Sequence, residues 1–292
     1  MKLSIICSSR RPHLWLDLYS QIHSDNVDYE IIFIGPFKPR FKMPKNTRFI
    51  HTIVKPSQCF EIACRSSKSE FILGPLADDV KTDQSNILGI LINFIKKQKN
   101  DLFLLSQQLE SYGEEIIVPN NEYNNLVFPF AAIFSKRIFN LVNGVDANFI
   151  AVMYDVDLFT RMMQLGCKVH FSGIKFIEKK RSLLEPTLYG DFSNKDKKYF
   201  EEVWKAENIF NFQTIREIKK FNLNNITSIS QEPKGKWKYK SFILFYLMQS
   251  NFKNKILKIL RLDFPFFRNI YYNNKDNYFI KKILKLIKFL FY

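Results

Sequence analysis

Leu76-Ala77-Asp78-Asp79 places two adjacent carboxylates directly after an apolar run. Paired carboxylates on a loop suit a hard cation such as Mg²⁺ or Mn²⁺, which bridges to a diphosphate and neutralises it as it leaves. The same residues also suit a helix cap or a solvated turn. A second acidic group, Tyr154-Asp155-Val156-Asp157-Leu158, is followed by Arg161 and Gly166. Its aspartates stand at the expected start of a helix, where a carboxylate either caps the helix or faces a cleft as a general base. Once a helix begins, residues two apart point in different directions. One aspartate is then free to act on a substrate while the other holds structure. A third group, Ile62-Ala63-Cys64-Arg65-Ser66, carries an Arg on a short helix leading into the acidic strand. That position suits a diphosphate or base contact, or a solvated surface charge.

The elements that must position these groups follow from apolar patterning. Leu3–Cys7 is a short apolar run that enters the loop Ser8-Ser9-Arg10-Arg11-Pro12. Leu14–Ile22 has helical spacing. Tyr29–Ile34 is a second buried strand stopped by Gly35-Pro36, and Phe49–Val54 is a third. Cys59–Ser67 reads as a helix and Phe71–Leu76 as a strand running into Asp78-Asp79. Such alternation predicts a mostly parallel sheet flanked by helices, with ligands bound beyond the carboxyl ends of its strands. Ser8–Arg11 and Asp78-Asp79 both fall there. Further along, Ile87–Lys97 is an amphipathic helix, and Leu102–Leu105 and Glu115–Val118 read as strands. Ala131–Val142 reads as a helix capped at Asn143-Gly144. Asp155–Leu165 reads as a helix and Lys168–Phe171 as a strand. From Ser182 the pattern loosens, Phe192–Phe212 is polar and aromatic, and Ile215–Phe221 has helical spacing.

The chain has 292 residues and a net charge of +16. The charge is concentrated: residues 234–292 hold 14 Lys and Arg against two Asp, and residues 1–233 are nearly neutral at +4. Gln231–Lys240 (QEPKGKWKYK) reads as a linker, so the expected division is a body over residues 1–230 and a basic segment over 231–292. In Phe279–Tyr292, Ile280, Ile283, Leu284, Ile287, Leu290 and Phe291 line one helical face opposite Lys281, Lys285 and Lys288. A wide apolar face opposite lysines suits a helix lying in a membrane surface, and anionic lipid adds about 1 kcal/mol per Lys. Nucleic acid is not expected, because no recognised binding motif is present and it would leave the apolar face unexplained. The four cysteines, Cys7, Cys59, Cys64 and Cys167, form no CxxC pair and read as reduced core residues. The apolar start is too short for a signal peptide, and no run is long enough for a spanning helix.

Taken together, these segments resemble the family-two inverting glycosyltransferases of the GT-A fold. KLSIICSSRRP is similar to their first strand and donor loop, and YEIIFIGP to their second strand. FEIACRSSKSEFILGPLADD resembles their Ala-Arg-Asn helix, strand and acidic metal motif. FPFAAIFSKRIFNLVNGVDANFIAVMYDVDLFTRMMQLGCKVHF resembles their acceptor-side segment. The resemblance covers roughly residues 1–175. It implies that Asp79 binds the metal, that Asp78 lies near the donor ribose or metal, and that Arg65 belongs to the nucleotide-binding helix. It further implies that Ser8 and Arg10 lie in the donor loop, that Asp155 is the general base, and that Asp146 lies near the acceptor. The pattern departs from the family at Ala77, Ser66 and Tyr154, and Gly35-Pro36-Phe37 replaces an Asp after the second strand.

The expectation is therefore an α/β body of GT-A fold with a basic, mainly helical C-terminal extension. Its expected activity is Mn²⁺- or Mg²⁺-dependent transfer, with inversion, of a sugar from a nucleotide-sugar to a hydroxyl of a glycan or lipid-linked acceptor. That activity would serve surface polysaccharide or glycoconjugate synthesis, in the cytoplasm at the inner face of the cell membrane. Two other readings of the residues compete. A sugar-phosphate nucleotidyltransferase also uses paired Asp and a metal, but Ser8–Pro12 lacks the glycines of a phosphate loop. A non-catalytic basic protein would bind membranes or polyanions without needing Asp79 or Asp155.

Overall fold

The computed structural model describes residues 2–9, 11–52, 54–111, 114–116, 119–120, 126–178, 190–205, 209 and 214–222. All of them belong to one compact unit. Arg10, the linker and the basic segment with its amphipathic Phe279–Tyr292 stretch lie outside the described residues.

The chain begins with β1 (Leu3–Ser8), α1 (Trp15–Ile22), β2 (Tyr29–Gly35), β3 (Thr47–His51), α2 (Pro56–Ser66) and β4 (Phe71–Ala77). It continues with β5 (Val80–Lys81), α3 (Ile87–Lys97), β6 (Phe103–Ser111), β7 (Glu114–Ile116), β8 (Pro119–Asn120) and β9 (Leu126–Val127). The last described elements are β10 (Phe130–Ser135), α4 (Lys136–Leu141), α5 (Tyr154–Gln164), β11 (Lys168–Glu178) and α6 (Gly190–Val203). Among the described residues no helix is long and apolar enough to cross a membrane.

The main sheet runs β3-β2-β1-β4-β10-β6-β11-β5, with β7 added to β6. β3, β2, β1 and β4 are parallel, as expected. The second half is mixed, which corrects the mostly parallel expectation: β10 lies antiparallel between β4 and β6, and β5 pairs antiparallel with β11. β10 was expected to be the first part of a helix. Ala131–Val142 is instead strand to Ser135 and helix only from Lys136. A short run such as FAAIF is apolar throughout, and periodicity alone does not separate a buried strand from a helix. The helix starts where Ser135 Oγ accepts the Arg137 backbone N–H at 3.1 Å. It ends in left-handed Asn143 and Gly144, as the Asn-Gly signal predicts.

Two apolar layers hold the sheet, because successive strand residues face opposite sides. Ile6, Ile32, Ile34 and Ile72 pack with α2 and α5 through Phe60, Leu158 and Phe159. Leu3, Ile5, Cys7, Ile31 and Phe33 pack with α1 and α3 through Trp15, Leu18, Leu88 and Leu91. Trp15 stacks on Phe33 with ring centroids 4.4 Å apart. All four cysteines are buried and unpaired. Burial pushes the thiols of Cys59 and Cys167 up to about 12, so they stay protonated.

Segment 214–222 is not the helix that its spacing suggests. Its backbone groups serve other partners: Lys219 O accepts the Ala147 N–H at 2.7 Å, and the Arg216 N–H donates to Gln164 Oε1 at 3.1 Å. Ile215 and Phe221 pack against the first apolar layer.

Candidate active site

The carboxyl ends of the parallel strands bring the first candidates together. Register pairs Ser8 of β1 with Ala77 of β4, so the loop after Ser8 meets Asp78 and Asp79 directly. The β1–β4 register shifts between Ile5 and Cys7, opposite Gly74-Pro75. Such an irregularity next to a strand end re-aims the residues that follow it. Gly35 closes the far side of the loop; a Cβ there would stand 1.9 Å from Ser9 O, so the approach demands glycine. The Oγ atoms of Ser8 and Ser9 are buried and have no hydrogen-bond partner among the described residues. Unused buried hydroxyls are uncommon, and these two lie in the expected donor loop.

Asp78 and Asp79 are each only 2% exposed. Both are held by Arg11, which sequence reasoning passed over in favour of its neighbour Arg10. The Arg11 backbone N–H donates to Asp78 Oδ2 at 2.6 Å and its Nε to Asp78 Oδ1 at 2.9 Å. Its Nη1 lies 2.5 Å from Asp79 Oδ2. The available signal was two arginines at one strand end and two aspartates at another, but only the β1–β4 register brings those two strand ends together.

The donor chemistry of this pair fits a hard divalent cation. Its ligands are carboxylate oxygens, and Mg²⁺ typically takes one or two of them plus substrate phosphates. Among the described residues no group of three or more His, Cys, Asp or Glu forms a cage of its own.

Arg65 is not part of this site. Lys136 Nζ donates to the carbonyls of Arg65 and Ser67 at 3.2 and 2.5 Å, and Ser135 pairs with Phe71, the first residue of β4. Arg65 therefore lies at the amino end of β4, whereas the acidic pair follows its carboxyl end. Seven strand residues separate the two by roughly 20 Å. A helix that leads into a strand must end where the strand begins, so an arginine in its last turn belongs to the opposite edge. There Arg65 binds Glu61 Oε1 at 2.9 Å and Asn140 Oδ1 at 2.7 Å, over the Phe139 ring.

The second acidic group does reach the right end. β10 is antiparallel to both β4 and β6, and β11 is parallel to β6, so β11 runs in the direction of β4. α5 feeds into the amino end of β11, which puts the first turn of α5 and Asp155 on the carboxyl side. The contacts agree: the Ser57 N–H and Oγ, in the first turn of α2, donate to Ile150 O and Phe149 O at 3.1 and 2.7 Å.

Asp155 and Asp157 sit in different surroundings. Asp155 is half-buried. Burial raises its carboxyl pKa above the ordinary value, against the pull of the Val156 and Asp155 backbone N–H groups. It follows Met153, whose φ of 61° is left-handed and costly for a non-glycine residue. Asp157 is fully buried; its oxygens accept Arg161 at 2.8 and 3.0 Å, Trp204 Nε1 at 2.9 Å and Arg216 Nη2.

Asp146, assigned to the acceptor side, is also fully buried. It accepts the Asn148 N–H, Tyr199 Oη and Arg216 Nη2 at 2.9, 3.0 and 2.9 Å. In this structure it acts by holding the loop before α5 in place.

A residue that sequence reasoning missed shapes the same loop. Asp196 on α6 is 2% exposed and accepts three successive backbone N–H groups, from Ile150, Ala151 and Val152, at 2.7 to 3.2 Å. Successive N–H groups form an anion-binding concavity, here filled by the protein's own carboxylate. α6 escapes an apolar reading because its inward face carries Asp196 and Tyr199, polar residues at helical spacing beside Phe200. Asp196→Ala is expected to cost about 1–3 kcal/mol, the penalty of leaving buried donors unpaired. Asp196→Asn should fall between it and wild type. The urea midpoint measures both, and an unchanged midpoint in the Ala variant would show that the loop does not depend on α6.

No protein-family model matches the chain, and no curated protein matches it. Among solved structures, glucosyl-3-phosphoglycerate synthase from Mycobacterium tuberculosis, in complex with Mn²⁺, UDP-glucose and phosphoglyceric acid, matches with a TM-score of 0.50 and 10% identity. That match covers 70% of this chain and 80% of the synthase. Residues 1–349 of S. aureus TarS match with a TM-score of 0.47 and 11% identity, over 61% of this chain and 60% of that one. The mannosyltransferase PcManGT from Pyrobaculum calidifontis, in complex with GDP-Man and Mn²⁺, matches with a TM-score of 0.44 and 12% identity, over 70% and 68%. This chain thus spans less than two thirds of the TarS structure. The likeness to the synthase is one of fold: a mixed α/β sheet with flanking helices.

Proposed function

We propose that the chain is a glycosyltransferase of GT-A fold that uses a nucleotide-sugar donor and a divalent cation. The observation that carries this reading is Asp155, a half-buried carboxyl whose pKa is raised by burial, presented at the same end of the sheet as Asp78-Asp79. A general base works best with a pKa moved towards the working pH, and transfer with inversion uses such a base near an anionic donor. The shared fold with a solved UDP-glucose-binding synthase supports the same reading.

Asp155 would take the proton from an acceptor hydroxyl as its oxygen attacks the anomeric carbon. Attack from the face opposite the leaving diphosphate inverts that carbon. Ser8 and Ser9 stand at the donor loop and offer the donor two hydroxyls that have no partner among the described residues. A divalent cation held by Asp79 and Asp78 would supply charge neutralisation for the departing diphosphate. Asp196 and Asp146 hold the loop that carries Asp155. The acceptor is proposed to be a glycan or lipid-linked glycan, reached at the inner membrane face through the basic segment, as in surface polysaccharide or glycoconjugate synthesis.

The test incubates purified protein with a panel of sugar nucleotides, Mn²⁺ or Mg²⁺ and acceptor-containing membranes, and measures free nucleotide. Release from one donor is expected, dependent on metal and lost in Asp79→Ala. Pyrophosphate formed from a nucleoside triphosphate and a sugar phosphate would replace this reading with a nucleotidyltransferase. No turnover with the membranes present would remove the enzyme reading.

A further inference from the structure

The acidic pair already holds a cation. Arg11 contributes its backbone N–H, Nε and Nη1 to three different oxygens of Asp78 and Asp79. The carboxylates are 2% exposed and the arginine side chain 19%, so the arginine is the more open to solvent. We propose that Arg11 is a resident counter-ion of Asp78-Asp79 that a divalent cation must displace, so that this residue sets the metal affinity of the free protein. The proposal rests on the reading of Asp78-Asp79 as the cation site.

Charge and geometry carry the argument. Two adjacent, nearly buried carboxylates are unfavourable without compensation. Arg11 supplies one positive charge to that compensation. A divalent ion on the same oxygens would neutralise the pair completely. With Arg11 still in place, however, its guanidinium and the divalent ion would be held at contact distance, and like charges repel strongly in a site this shielded. The two cations also need the same ligands: Asp79 Oδ2 and Asp78 Oδ1 both face the guanidinium. They therefore exclude one another.

Displacement is local. The Arg11 main chain is anchored independently by its own N–H on Asp78 Oδ2. Its backbone is further restricted by Pro12, which opens the short 3-10 turn Pro12–Leu14. Only the side chain has to rotate away, and its partial exposure gives it somewhere to go. The loop would keep its shape as the cation changes, and Asp78 would keep one of its hydrogen bonds.

The experiment is Mn²⁺ binding to the full-length protein in the absence of any nucleotide, followed by electron paramagnetic resonance of the free ion. Wild type, Arg11→Met, Arg11→Lys and Arg11→Met/Asp79→Asn are compared. The expected result is at least tenfold tighter Mn²⁺ binding in Arg11→Met than in wild type, an intermediate gain in Arg11→Lys, and loss of the gain in the double variant. Thermal denaturation with and without Mn²⁺ is a second readout: Arg11→Met should melt lower than wild type without metal and gain more from Mn²⁺. If Arg11→Met does not fold, Arg11→Lys carries the comparison, with tighter binding expected. Equal or weaker Mn²⁺ binding in the folded Arg11 variants overturns the proposal. That failure leaves the transferase reading standing if wild type turns over a donor with metal. Tighter binding with no turnover of any donor sinks the transferase reading and keeps Arg11.

Discussion

Replacing Asp155 by Asn is expected to lower turnover by about 10²- to 10⁴-fold, the usual contribution of a positioned general base, while raising the melting temperature near neutral pH. Both effects come from the same burial. Asp155 has a folded-state pKa above its ordinary value because burial penalises the charged carboxylate. For an acid shifted in this direction the folded state binds the proton more tightly than the unfolded chain. Stability from this residue is full below the unfolded pKa, falls as pH rises through the window up to the folded pKa, and is absent above it. Neutral pH lies on the unfavourable side. Asparagine has no charge to bury, so the variant escapes the penalty and melts higher, and the difference should shrink as pH is lowered into the acid range. The activity of wild type runs the other way: the acid limb of its kcat/KM profile should lie above the range of an ordinary aspartate, because the base must lose its proton to work. Thermal melts across pH and a pH–rate profile measure the two arms. A variant that keeps wild-type turnover, or that melts lower than wild type at neutral pH, would remove Asp155 from the role of base.

Much of this arrangement was legible in the residues, and the reasons for success and failure are physical. β1, β2 and β4 are largely apolar, buried runs, the near-continuous pattern expected of parallel strands covered on both faces. The amphipathic helix Ile87–Lys97 was fixed to the residue because its apolar face repeats over three turns. Side-chain positions that depend on non-local register were harder. Arg65 looked close to the acidic pair because it is close in sequence, yet the intervening strand carries the chain across the sheet. Arg11 and Asp78 lie 67 positions apart and meet only because β1 and β4 are neighbours. α6 was hidden for a different reason: its inward face carries Asp196 and Tyr199, polar residues that a search for apolar periodicity discards. Where a polar side chain does structural work inside a protein, hydrophobic patterning does not find it.

Asp157, two residues beyond the proposed base, makes the opposite case and the larger stability effect. Asp157→Ala is expected to destabilise the fold by about 3–5 kcal/mol, the cost of removing one partner from a buried ion pair. The cluster around it is balanced: Asp146 and Asp157 face Arg161 and Arg216. Arg161 is fully buried and also donates to the carbonyls of Val142 and Gly144 at 2.6 and 2.7 Å, tying α5 to the turn after α4. Burial alone would lower the pKa of Arg216, but Asp157 and Asp146 outweigh it and hold the guanidinium charged. Deleting the Asp157 carboxylate leaves one positive charge in excess and strips Trp204 Nε1 of its acceptor. The penalty thus comes from what is left unpaired more than from the attraction that is lost. A double change, Asp157→Leu with Arg161→Met, removes charge from both sides and should recover part of the loss, as apolar replacements of whole buried pairs do. Urea titrations of the single and double variants, with turnover measured on whatever remains folded, separate the two aspartates. If Asp157→Ala kept its stability and lost its turnover, the base would be Asp157 and the assignment of roles along α5 would have to be exchanged.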